Sequence, residues 1–114
     1  MTILTILTTY RRPMLLKRAI NSVLKQTYSD FEVCIYDNAS DDQTEEIVQG
    51  FAKRDSRVKY HRHPENIGMM PNYQFALDRI EAPYFSLLSD DDYLLPLFFE
   101  ARQSAILLTP NPGF

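Results

Sequence analysis

A mostly parallel α/β sheet with helices on both faces is the fold class this sequence predicts, and three observations predict it. Apolar, β-branched runs alternate with helical stripes along the chain, as crossover units require. The first, second and fourth of those runs are largely uncharged inside, as strands covered on both faces must be. Polar residues collect just after each run, at the carboxyl edge where open α/β sheets form their ligand crevices.

The elements follow in order. Thr2–Thr8 is β-branched and free of helical punctuation, so it reads as a buried strand. Pro13 suits the first turn of a helix, where its missing N–H costs nothing. Leu15, Leu16, Ala19, Ile20, Val23 and Leu24 form the apolar stripe of that helix, with Lys17, Arg18, Asn21 and Lys25 opposite. Phe31–Tyr36 is the second strand. Asp42, with Glu45 three residues on, resembles a capping box for a helix carrying Ile47, Val48 and Phe51. Arg57–Arg62 is a charged, edge-like strand, and Pro64 to Gly68 a loop. Tyr73, Phe75, Ala76, Leu77 and Ile80 mark a third helix that ends before Ala82-Pro83. Tyr84–Leu88 is an apolar strand running directly into Asp90-Asp91-Asp92, and Pro96 opens a last helix with Leu97, Phe98, Ala101, Ala105 and Ile106.

Composition narrows the function. At 114 residues, 45% hydrophobic and 24% charged, the chain fits one soluble domain, residues 1–114. A formal net charge of −3 argues against binding a nucleic acid polymer, which needs a basic surplus. Cys34 is the only cysteine, so no internal disulfide forms, and a reducing, cytoplasmic setting is expected. No apolar run reaches the ~18 residues of a membrane span, and the N-terminus is apolar first and basic afterwards, the reverse of a signal peptide. Any membrane association would come from parts outside this chain.

The Asp triplet carries the strongest chemical signal. Three carboxylates after an apolar strand repel one another, and a hard divalent cation, Mg²⁺ or Mn²⁺, resolves the conflict. A solvated acidic turn is the commoner role for such a triplet, but its place at the end of Tyr84–Leu88 favours the metal. Asp37, at the second strand's end, suits the imide N–H of a pyrimidine or a ribose, and equally a turn. Tyr10 can stack on a base, and Arg11 or Arg12 can meet phosphate. Asn66 and Gly68 can let backbone approach a ligand, although an Asn-x-Gly loop is more often only a turn, and Asn72 either reaches the same crevice or is a solvated helix residue. His61 and His63 share a strand face and read as a solvated edge pair rather than a metal site.

Taken in order, these features resemble a known family. The passage from strand into Thr8-Thr9-Tyr10-Arg11-Arg12-Pro13 is similar to the Thr-Tyr-Asn-Arg start of family 2 glycosyltransferases with the GT-A fold. The segment from Arg18 through Gln26-Thr27-Tyr28 to Val33 resembles that family's stretch leading into its second strand. Asp37-Asn38-Ala39-Ser40-Asp41-Asp42-Gln43-Thr44 is similar to its Asp-Asp-Gly-Ser-x-Asp-x-Thr. Asn66-Ile67-Gly68 matches its Asn-x-Gly loop, and Ser89-Asp90-Asp91-Asp92 with Pro96 its Asp-x-Asp motif and following proline.

The resemblance implies the Rossmann-like nucleotide-sugar-binding half of a GT-A enzyme that inverts the anomeric carbon. Thr9, Tyr10, Arg11, Asn66, Gly68 and Asn72 would border the nucleotide and Asp37 its base. Asp90 and Asp91 would lie near ribose and diphosphate, and Asp90 and Asp92 would hold Mg²⁺ or Mn²⁺. A UDP- or dTDP-sugar donor is favoured, and the acceptor is not specified. The acceptor-binding half and the general base are expected beyond Phe114, so no catalytic residue is assigned here. An apolar last helix without its covering sheet would self-associate. Arg11 stands where the family often has Asn, and Asn38 where it often has a second Asp. Two other readings are a non-catalytic nucleotide-binding or oligomerisation fragment, and a phospho-acceptor receiver, which wants an acidic pair where Thr8, Thr9 and Tyr10 stand.

Overall fold

In the computed structural model, which describes residues 2–82 and 84–101, four strands and three helices alternate. They are β1 (Ile3–Thr9), α1 (Pro13–Leu24), β2 (Phe31–Asp37), α2 (Thr44–Arg54), β3 (Val58–Arg62), α3 (Met69–Leu77) and β4 (Phe85–Ser89). The sheet order is β3-β2-β1-β4, and every pairing is parallel. The expected α/β class is therefore found.

Right-handed crossovers dictate where the helices lie. The steps β1 to β2 and β2 to β3 run one way across the sheet, which puts α1 and α2 on one face, where they pack together. The step from β3 back to β4 runs the other way and puts α3 on the opposite face against β1. β1 is central and covered on both sides, so its residues are buried apart from the half-buried Leu4. Ile3 and Leu7 join Leu16, Ile20, Val23, Val33, Ile35 and Val48 in the main core, whereas Ile6 lies on the α3 side. No helix among the described residues is long and apolar enough to cross a membrane.

Three details differ from the sequence reading. α3 starts at Met69 rather than near Tyr73, because Pro71 falls in its first turn, where proline is tolerated. Asp42 binds the N–H of Thr44 at 2.9 Å and its hydroxyl at 2.6 Å, so it closes a short turn rather than a box with Glu45. Phe99, absent from the expected core, is fully buried beside Phe31 at a ring separation of 5.4 Å. Residues 98–101 are helical, and Ala105 and Ile106 of the expected last helix lie outside the described residues.

The turn after β2 stores backbone strain. Ala39 has φ 66°, in the left-handed region that L-residues with a Cβ avoid. Ala39→Gly is expected to stabilise the protein by about 1 kcal/mol, the steric cost of that conformation offset in part by glycine's entropy. Urea denaturation of both forms checks it, and no gain would show that the turn is unstrained.

Candidate nucleotide site

The sheet reverses its direction of growth at the carboxyl ends of β1 and β4, the topological switch point where ligands bind in open α/β sheets. Thr8 lies opposite Ser89 in the register, which brings the next residues, Thr9 and Asp90, together. The Thr9 hydroxyl donates to Asp90 Oδ2 at 2.9 Å, and both residues are buried. Arg12 Nη1 stands 3.4 Å from Asp90 Oδ1 and 3.5 Å from Asp91 Oδ2. The Ser89 hydroxyl donates to Asp91 at 2.5 Å and is the main cause of a lowered Asp91 pKa, with Arg12 and Arg18 adding to it. Asp92 turns back on itself, accepting the Tyr93 N–H at 2.8 Å.

The acidic turn is held from outside by polar residues of α1 and of the turn that follows it. Arg18 and Ser22 are four residues apart and so lie above one another on the helix, and Gln26 stands two residues past its end. Arg18 donates to the Asp91 carbonyl at 2.9 Å, and Ser22 Oγ accepts the Leu94 N–H at 2.9 Å. Gln26 donates to the Leu95 carbonyl at 2.7 Å and accepts the Phe99 N–H at 2.9 Å. Arg18, expected on the free face of the helix, is thus a clamp on the turn. The spacing was the available signal, but its partners lie some seventy residues away in the chain.

The second wall comes from β2 and the loop before α3. Asn38 Oδ1 accepts the Ile67 N–H at 2.8 Å and so fixes the loop, and Asn66 Oδ1 accepts the Gly68 N–H at 2.8 Å. Gly68 has φ 92°, which requires glycine, and a Cβ there would meet Pro71 at 3.4 Å. Asn72 is buried, and its Nδ2 donates to the Tyr36 carbonyl at 3.1 Å. Its Oδ1 must then be the acceptor for His63 Nε2 at 2.8 Å, which places the proton on that ring nitrogen. His63 is buried rather than solvated, because its own N–H continues the β-ladder to the Asp37 carbonyl and Phe75 packs edge-on against its ring. His61 stacks on the same Phe75 at 4.8 Å, and burial is the main cause of its lowered pKa.

Thr8, Thr9, Tyr10, Arg12, Asn38, Asn66, Gly68, Met69, Asn72, Tyr73, Ser89 and Asp90 line a cleft of about 400 Å³. Of the expected nucleotide residues, Thr9, Tyr10, Asn66, Gly68, Asn72 and Asp90 meet there. Asp37, Arg11, Asp91 and Asp92 are not in its wall. Arg11 pairs with Asp41 through Nε at 2.9 Å and Nη2 at 3.1 Å, a fork-to-carboxylate contact that leaves Arg12 as the guanidinium in the cleft. Arg11 also has φ 54°, a left-handed conformation that asparagine tolerates better than arginine. A larger hollow of about 760 Å³ lies between α1 and residues 93–96, lined by Lys17, Arg18, Lys25, Tyr93 and Leu95 among others. It is away from the strand ends, and among the described residues no carboxylate lines it.

Asp37 is fully buried with both oxygens engaged, Oδ1 by the Ser40 N–H at 3.0 Å and Oδ2 by the Tyr60 hydroxyl at 2.5 Å. Burial first, and then the Asp37 carboxylate, push the Tyr60 phenol far above its ordinary pKa. In the unfolded chain this phenol ionises near pH 10 while the folded one keeps its proton, so stability present below that pH is lost as pH rises through it. Tyr60→Phe is expected to lose stability at neutral pH and to show a shallower alkaline decline than the wild type. Urea midpoints between pH 7 and 11 measure both, and parallel declines would show that Tyr60 is not the group responsible.

Comparison with known proteins decides the family. The model described as Glycosyl transferase family 2 matches residues 5–107. The chain belongs to that family. This family 2 chain is 36% identical over 111 residues to a GalNAc(5)-diNAcBac-PP-undecaprenol beta-1,3-glucosyltransferase of Campylobacter jejuni, covering 96% of the chain and 34% of that protein. TarS of S. aureus, solved in complex with UDP, superposes with a TM-score of 0.86 at 25% identity, over 95% of this chain and 32% of that one. A mannosyltransferase of Pyrobaculum calidifontis, solved with GDP-Man and Mn²⁺, shares the fold at a TM-score of 0.79 and 20% identity. The family 2 chain therefore spans about a third of the length of such relatives, 34% of the Campylobacter protein.

Hard carboxylate oxygens are the donors that suit Mg²⁺ or Mn²⁺, and Asp90 and Asp91 already converge on one cationic nitrogen, Arg12 Nη1. Among the described residues, no three His, Cys, Asp or Glu side chains form a metal cage. The chemistry of this donor set fits such an ion.

Proposed function

We propose that this chain is the donor-binding domain, residues 1–114, of an inverting glycosyltransferase that uses a nucleoside diphosphate sugar, a UDP- or dTDP-sugar by preference. The single observation that carries the reading is the Thr9–Asp90 bond in a polar cleft at the β1/β4 switch point. Its likeness to TarS solved with UDP supports the choice of nucleotide. In this reading Tyr10 stacks on the base, and the Asn38–Ile67 bond keeps the far wall in place. Asp37 reads the pyrimidine imide from beneath, for which the Tyr60 hydroxyl must release one oxygen. Asp90 meets the ribose, Arg12 and Asp91 face the diphosphate, and Asn66, Gly68 and Asn72 close the loop side. Arg11, paired with Asp41, supports the strand end and does not touch nucleotide.

Asp90 and Asp92 are the residues that would hold Mg²⁺ or Mn²⁺, an ion that neutralises charge building on a departing diphosphate. The domain works in the cytoplasm, where nucleotide sugars are made, and the exposed Leu95 and Leu97 favour self-association. Calorimetry with UDP and with ADP, each with Mn²⁺, tests the reading on the wild type and Asp92→Ala. UDP is expected to bind at least about ten-fold tighter than ADP, the worth of one hydrogen bond to a buried charged group. Asp92→Ala should weaken UDP binding. Equal affinity for the two nucleotides, or for the two proteins, overturns the base or the metal assignment respectively.

A further inference from the structure

Arg12 is the cleft's own cation, and its geometry gives it a second task. It follows Tyr10 and Arg11 on the short link to α1, is followed by Pro13 and has no side-chain capping bond, so its side chain is not spent on the helix terminus. One nitrogen, Nη1, serves both Asp90 Oδ1 at 3.4 Å and Asp91 Oδ2 at 3.5 Å. Both distances are long for charge-assisted hydrogen bonds, which lie near 2.7–2.9 Å. Asp90 by contrast is anchored by a 2.9 Å bond from Thr9. The carboxylates are therefore fixed by Thr9 and Ser89, and the guanidinium rests loosely between them with its side chain half exposed.

We propose that Arg12 is a resident counter-ion of the acidic turn, which releases Asp90 and Asp91 when a divalent cation binds and passes to the diphosphate. This rests on the nucleotide-sugar reading above. The charges favour such an exchange. The carboxylates of the turn repel one another when no cation is near, and a divalent ion that takes over their compensation leaves the guanidinium free to turn to an anionic diphosphate. A guanidinium is suited to both places, since it forks onto carboxylate and phosphate alike. Metal and nucleotide then bind cooperatively, because Arg12 opposes the metal when alone and supports the nucleotide once freed.

The test measures Mn²⁺ binding by electron paramagnetic resonance without nucleotide, and UDP binding by calorimetry at saturating Mn²⁺. Arg12→Gln should bind Mn²⁺ alone about three-fold more tightly, because a weak, half-exposed ion pair no longer competes. The same variant should bind UDP about ten-fold more weakly, having lost a charge-assisted contact to phosphate. Arg12→Lys, which keeps the charge, should lie between the two in both measurements, and thermal unfolding checks that each variant is folded. If both affinities stay unchanged, or both fall, the exchange role is overturned. If the wild-type protein binds no UDP at all with Mn²⁺ present, the nucleotide reading itself fails, and this inference with it.

Discussion

Asp90→Asn is expected to lower the affinity for UDP with Mn²⁺ by about 100-fold, toward the lower end of the range for removing one partner of a buried, hydrogen-bonded charge. Asp90 is the carboxylate at the root of the acidic turn, 7% exposed and reached by both Thr9 and Arg12. The amide has the shape of the acid and still accepts the Thr9 hydroxyl, so packing is kept while the charge is lost. Thr9→Val should give a smaller loss, because it removes only the bond that aims Asp90 and leaves the charge. Calorimetric titration of the three proteins, with urea unfolding to confirm that each is folded, measures the order. An Asp90→Asn protein that binds like the wild type would remove the acidic turn from the nucleotide site.

The 114-residue chain should bind donor without transferring its sugar. Among the described residues the cleft wall holds one carboxylate, Asp90, and no histidine, so no proton acceptor stands ready for an attacking hydroxyl. Asp37 is buried and doubly bonded, and Asp91 is held by Ser89 and Arg12. Positioning an acceptor in line with the anomeric carbon accounts for ~7–11 kcal/mol of a barrier, about five to eight powers of ten in rate. Binding of the donor sugar nucleotide is followed by calorimetry, and release of nucleoside diphosphate in the presence of simple acceptors by a coupled assay. Turnover at an ordinary enzymatic rate would show that a base and an acceptor site are already present in this chain.

The first, second and fourth strands are read within one residue at each end from their apolar runs, but the cover expected on both faces is found for β1 alone: β2 leaves Glu32 exposed, and β4, an edge strand, buries Leu88 and leaves Leu87 51% exposed. The strand-end rule brings Thr9, Tyr10, Asn66, Gly68 and Asp90 to one edge, where the cleft gathers them with Asn72 from α3, but Arg11, Asp37, Asp91 and Asp92, placed by the same rule, stand outside its wall. His63 and Phe99 were misplaced for a common reason. A histidine in a charged strand looks solvated until Phe75 and Asn72 close over it, and a phenylalanine after a proline turn looks peripheral until Phe31 meets it.

The sequence by itself determined the order of strands and helices, the edge on which the chemistry lies and the family, since each depends on local pattern and on motifs read in line. Only the tertiary structure decided which arginine enters the cleft. Arg11 and Arg12 are chemically the same and adjacent, and the left-handed turn at Arg11 sends its side chain to Asp41 while Arg12 faces Asp90. It also decided that the Tyr60 hydroxyl engages Asp37 and that Arg18, Ser22 and Gln26 hold the acidic turn. The physical reason is separation along the chain. A hydrogen bond or ion pair between residues some 20 to 80 positions apart leaves no periodic trace in either segment, and it exists only once the parallel sheet has set the register that brings them together.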